Sequence, residues 1–80
     1  MLFPNPAGNY FIAQYDLVGQ TSSGILKICD LNGKELRAIR LKDKKNQVVI
    51  PTHEYSNGVY LIRLSVGNYL MDSQKLTIVR

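Results

Sequence analysis

Catalysis needs groups that can move protons, attack a substrate or hold a metal, and this chain carries few. It has one histidine, His53, one cysteine, Cys29, and six carboxylates: Asp16, Asp30, Glu35, Asp43, Glu54 and Asp72. No two of these acids stand at a spacing that forces them together, so a general acid–base pair has no support. His53 and Cys29 fall on different predicted elements, and a thiol–imidazole nucleophile would also need a third group to orient the ring. One histidine, one thiol and scattered acids make poor material for a metal site. Gly8, Gly19, Gly24, Gly33, Gly58 and Gly67 each sit at a predicted turn or strand edge, and none belongs to a phosphate-cradling loop. The expectation is a protein that is not an enzyme, with no catalytic residue, no metal and no cofactor.

The elements that would position any functional residue are short strands. From Gly58 to Val66, Tyr60, Ile62, Leu64 and Val66 recur at period two, which puts them on one face of a strand. Val59, Leu61, Arg63 and Ser65 take the other face. Gly67-Asn68 then gives a two-residue hairpin turn, and Leu76 and Ile78 repeat the alternation in a last strand. Near the start, Phe3-Pro4-Asn5-Pro6-Ala7 predicts a stiff extended lead-in, because proline fixes its own φ and restricts its predecessor. Tyr10 to Leu17 alternates as a strand, and Val18 to Ser23 is a loop by composition.

Gly24 to Leu31 is the next strand, with Leu26 and Ile28 on one side and Ile25, Lys27 and Cys29 on the other. Cys29 is therefore expected to be at least partly accessible. Asn32-Gly33 signals a type I′ hairpin turn, and the returning strand runs from Glu35 to Leu41. Its apolar phase shifts between Ala38 and Ile39, which predicts a β-bulge there. Gln47 to Ile50 is a short strand stopped by Pro51, and Thr52 to Asn57 is a connection with one helical-looking turn around His53 to Tyr55. Turns punctuate short strands throughout, and no stretch has a useful helical period. That pattern predicts an all-β fold, a small antiparallel β-sandwich of six or seven strands.

Size and charge narrow the partners. Eighty residues make a single domain spanning 1–80, with a core that must be small. A hydrophobic share of 45% against 20% charged residues describes a globular chain, not a disordered one. The net charge of +4 allows weak attraction to an anionic surface, but the lysines and arginines are scattered. Their densest cluster, Lys42-Asp43-Lys44-Lys45, suits a solvated hairpin tip. Basic residues are not interleaved with aromatics, so no nucleic acid partner is expected. The single cysteine rules out an intramolecular disulfide. No apolar run is long enough for a membrane helix, and the N-terminus lacks the basic start and apolar core of a signal peptide.

Four motifs in order, Phe3-Pro4-Asn5-Pro6-Ala7, Ile28-Cys29-Asp30-Leu31-Asn32-Gly33-Lys34, Tyr55-Ser56-Asn57-Gly58-Val59-Tyr60 and Lys75-Leu76-Thr77-Ile78-Val79, resemble the type A C-terminal sorting domain of the type IX secretion system. The resemblance covers nearly the whole chain, from Phe3 to Arg80. Cys29 stands where the family often has an aromatic, and Tyr55 where it favours leucine. The resemblance implies an immunoglobulin-like fold excised from the C-terminal end of a larger cargo protein of a Bacteroidetes-type bacterium. It implies transit through the periplasm, then a place at the cell surface or secretion. The partners implied are the outer-membrane type IX translocon and shuttle barrel, and a sortase-like cysteine peptidase that removes the domain. No small-molecule substrate is expected. The residues expected to be recognised are Pro4, Asn5, Pro6, Asp30, Gly33, Lys34, Gly58, Tyr60, Lys75 and Arg80. A different class, a carbohydrate-binding or adhesion sandwich, would need exposed coplanar aromatics, whereas Tyr10, Tyr15, Tyr60 and Tyr69 are more simply core or cross-strand residues.

Overall fold

Alternating apolar residues become strands when two such faces can be laid against each other. A computed structural model describing residues 1–80 contains seven strands: β1 (Leu2–Phe3), β2 (Tyr10–Asp16), β3 (Gly24–Cys29), β4 (Glu35–Leu41), β5 (Lys45–Pro51), β6 (Gly58–Val66) and β7 (Tyr69–Ile78). They form two sheets, in the orders β1-β2-β5 and β4-β3-β6-β7, and neighbouring strands pair antiparallel throughout. The fold is the expected immunoglobulin-like antiparallel β-sandwich. Phe11, Ala13 and Ile50 from the first sheet join Leu26, Ile28, Ile62, Leu76 and Ile78 from the second in one buried cluster. The face of β6 chosen by alternation is the right one, with Tyr60, Ile62 and Val66 buried and Leu64 packed against the core.

Gly67 has a φ of 59° and no non-glycine residue has a positive φ, so the β6–β7 hairpin is a two-residue turn with glycine first. The other hairpin differs from expectation. Gly33 alone takes a positive φ, 87°, while Asn32 does not. Gly33 N–H donates to Asp30 O and Asp30 N–H to Lys34 O, each at 3.0 Å. This is a three-residue loop, a type I turn followed by a left-handed glycine, in place of a type I′ turn. Asp30 decides it, because its Oδ1 accepts from the N–H groups of both Asn32 and Lys34 at 2.9 Å.

The bulge in β4 also lies elsewhere. Ile28 pairs with Arg37 but Cys29 with Glu35, so Leu36 is the extra residue. Beyond it β4 alternates regularly, with Ile39 and Leu41 turned inward and Ala38 outward. The phase shift in the sequence arises because the outer face of this edge strand also carries apolar side chains. β5 is longer than expected and takes in Lys45 and Asn46, and Pro51 is its last paired residue, opposite Tyr10. The turn near His53 is real but is not helical: Tyr55 N–H donates to Thr52 O at 2.9 Å.

Cys29 lies on the predicted face but is buried, at 2% exposure. It stands apart from the main core cluster. Its register partners are Leu61 and Glu35, and Lys27 precedes it on the same face and pairs with Glu35 at 3.5 Å. On a central strand a short thiol is sunk between longer neighbours. Accessibility follows neighbour length, not facing alone.

Candidate functional site

The segment after β1 and the C-terminal residues meet at one edge of the four-stranded sheet. Residues after β1 do not run on as an extended lead-in. They bend and cross from the first sheet to the outer edge of β7. There Ala7 forms a parallel bridge to Ile78: its N–H donates to Thr77 O at 2.7 Å, and its carbonyl accepts from Val79 N–H at 2.9 Å. Pro4 and Pro6 have no N–H to offer the strand. Asn5, between them, supplies the missing pairing with its side chain. Its Nδ2 donates to Lys75 O and its Oδ1 accepts from Thr77 N–H, both at 3.1 Å across about seventy residues of sequence. A primary amide offers the same donor and acceptor as a peptide, so Asn5 acts as one more residue of a strand. The last part of β7 is thereby paired on both sides.

Beside this clasp lies the 52–57 connection. Thr52 is fully buried; its N–H donates to Asn9 O at 3.0 Å and its hydroxyl donates to Gly8 O. The Arg80 guanidinium donates to the carbonyls of Thr52 and Tyr55, and Arg80 N–H donates to Asn57 Oδ1 at 3.2 Å. Tyr60, buried at the start of β6, donates its hydroxyl to Ser56 O four residues upstream. This is a tyrosine corner of the kind immunoglobulin-like sandwiches use to fix the approach to a strand. Tyr55 packs edge-on against Tyr60, with ring centroids 5.8 Å apart, and its own buried hydroxyl has no hydrogen-bond partner.

The ten residues expected from sequence therefore sort by what they do. Asn5 and Arg80 are tied to main-chain groups, Tyr60 is buried, and Asp30 and Gly33 hold the β3–β4 turn. Gly58 opens β6. Pro4, Pro6, Lys34 and Lys75 are exposed, and neither lysine side chain makes a hydrogen bond or ion pair. The antiparallel register puts the β3–β4 turn, the start of β6 and the end of β7 at the same end of the sheet. Thr52 joins this end from outside the four motifs, and Ala7 and Asn57 join it as motif residues that were not among the ten expected to be recognised. A threonine after a proline gives no sign of burial, but the small residue after two prolines is a clue to close backbone approach.

The tyrosines do not form a platform. Tyr55 and Tyr60 are buried, and the exposed Tyr10 and Tyr69 lie on different sheets. The arrangement holds no constellation of three or more metal-ligating side chains. What it presents is a polar end made from the segment after β1, the 52–57 connection and the C-terminal residues.

Comparison with known proteins finds no match among curated sequences and none among solved structures. The family model described as the secretion system C-terminal sorting domain does match, over residues 1–79, a span that takes in the clasp and the tyrosine corner and stops just before Arg80. That family is not one of enzymes, and its members engage secretion machinery that delivers proteins to the cell surface or beyond. The chain thus belongs to the secretion system C-terminal sorting domain family, and it is a sorting signal for type IX secretion.

Proposed function

We propose that the domain forms the C-terminal end of a larger cargo protein and is recognised as a folded unit at the end where residues 5–7 meet the end of β7. The cargo reaches the outer membrane through the periplasm. There the translocon and shuttle barrel hold the exposed Pro4, Pro6, Lys34 and Lys75 side of the domain, and a sortase-like cysteine peptidase later separates cargo from signal. The observation that carries this reading is the Asn5 clasp on β7, since it joins the first motif to the last one in space. A signal assembled from both motifs exists only in a folded chain. Incomplete or unfolded cargo would not display it.

The test uses a reporter behind a signal peptide and ahead of these residues, in a cell with a working type IX system. Lys34→Ala with Lys75→Ala removes two free surface charges, a kind of change that usually alters stability by within about 0.5 kcal/mol. Export is expected to fall while the melting temperature stays put. Arg80→Ala is expected to lower both, because it strips donors from two carbonyls. Undiminished export by the lysine double variant would sink the proposed surface. Undiminished export by a variant shown to be unfolded in the cell would sink recognition of a folded unit.

A further inference from the structure

Two neighbouring depressions flank the corner where β1 begins, one along the edge of the first sheet and one between the sheets. An open hollow of about 620 Å³ lies there, lined by Met1, Gln14, Tyr15, Asp16, Asn46 and Gln47 among others. A smaller recess shares Met1, Gln14 and Tyr15 with it and runs inward to Leu64 and Ile62. Tyr15 and Leu64 are only partly buried at this point, although both pack against the core.

The hollow is bounded by an unfinished strand pair. β1 pairs with β2 as Leu2 with Ala13 and Phe3 with Ile12, and the pairing continues to the first residue. Met1 N donates to Gln14 O at 2.9 Å, and Gln14 N–H donates to Met1 O at 2.8 Å. β2 itself runs on to Asp16. In an antiparallel ladder the main-chain groups of successive residues face opposite neighbours. Those of Gln14 face β1, and Leu17 N–H, three residues on, donates to Lys44 O on the β5 side. The main-chain groups of Asp16 therefore face the β1 side, over the hollow, beyond the reach of Met1. Side chains alternate too. Leu2 packs against the core opposite Ala13, so a residue in register with Tyr15 would point inward at the same recess.

We infer that the hollow seats the segment directly upstream of Met1 in the cargo-bearing protein. That segment prolongs β1 along β2, pairs with Asp16, and sets the side chain just before Met1 against Tyr15 and Leu64. The inference rests on the reading that the domain ends a larger protein. The direction of β1 selects this occupant, because its first residue is already in the ladder and the chain before it must leave along the open stretch of β2. Covalent attachment supplies an effective concentration that no separate strand would match. The junction between cargo and signal is then part of the sheet, and a peptidase reaches the chain only beyond the paired stretch.

Amide hydrogen exchange tests this on two proteins, residues 1–80 and the same chain preceded by a short stretch of its natural upstream sequence. The Asp16 amide is expected to exchange about ten-fold more slowly in the longer chain. Replacing the residue before Met1 with aspartate should abolish that gain, and the Tyr15 ring should be less accessible only in the unsubstituted longer chain. An Asp16 amide that exchanges equally in both chains overturns the inference. So does equal protection of residues 1–80 by the upstream stretch added as a separate, equimolar peptide. Reporter export is scored separately: export without Asp16 protection refutes the seated segment and leaves the sorting reading intact, whereas protection without export does the reverse.

Discussion

Replacing Asn5 measures the clasp directly. Asn5→Ala removes one donor and one acceptor from the β7 edge, and leaves Lys75 O and Thr77 N–H without partners from the protein. A net hydrogen bond contributes about 0.5–1.5 kcal/mol. Asn5 is exposed, so water can reach the freed groups and the lower half of that range applies to each. The two together come to about 1–2 kcal/mol, which in a domain of this size lowers the melting temperature by roughly 4–16 °C. Asn5→Asp is the sharper variant. It keeps an acceptor for Thr77 N–H but points a carboxylate oxygen at the Lys75 carbonyl, where the amide had donated. It should be at least as damaging as alanine, although it is the closest residue in shape. Calorimetry gives the total loss, and exchange at the Thr77 amide localises it. An Asn5→Asp protein as stable as the parent, with Thr77 still protected, would refute the idea that the side-chain amide takes the place of a peptide.

Two further substitutions test neighbouring parts of the same end. Gly33→Val forces a β-branched residue to a φ of 87°, and should destabilise the domain by about 1–3 kcal/mol in chemical denaturation, with Gly33→Asn clearly milder. Tyr55→Phe should raise stability by about 1 kcal/mol, because it deletes a buried hydroxyl that has no partner and keeps the ring that packs against Tyr60. A loss of stability on Tyr55→Phe would mean that the hydroxyl is satisfied after all.

The strands were legible because alternation at period two survives in any strand with one buried face. Tyr60, Ile62 and Val66 are buried as their spacing requires. The turns were legible only in part. Asn32-Gly33 marks a hairpin, but the loop type is set by Asp30, whose carboxylate organises the main chain ahead of it. The β4 bulge misled for a related reason: on an edge strand the outward face tolerates Leu36 and Ala38, so apolar phase no longer reports which way a residue points. Of the candidate site, the motifs were visible and their meeting was not. Nothing local to Pro4-Asn5-Pro6 says that its amide lies against Lys75 and Thr77. Such a contact follows from topology, which brings residues 5–7 against β7 only after every strand between them is placed.

The clasp also bears on how a partner can grip the domain. An exposed strand edge is open to strand addition, and β7 is an edge strand of its sheet. Yet the edge of β7 from Lys75 to Val79 is already occupied by Asn5 and Ala7. Its earlier half is free of that cover but is kinked, since Leu64 pairs with Asp72 and Ser65 with Leu70, leaving Met71 as a bulge. Two other edges carry their own obstacles: a bulge at Leu36 in β4, and Lys45 and Pro51 at the two ends of β5. Bulges, lysine and proline are the devices by which edge strands avoid unintended pairing. A partner that added a strand at Lys75–Val79 would first have to displace both bonds of Asn5 and both of Ala7. Binding to the clasped surface from outside meets no such cost. Recognition by side chains on a closed edge is thus favoured over strand exchange, and the Thr77 amide should stay protected from exchange when the secretion machinery binds.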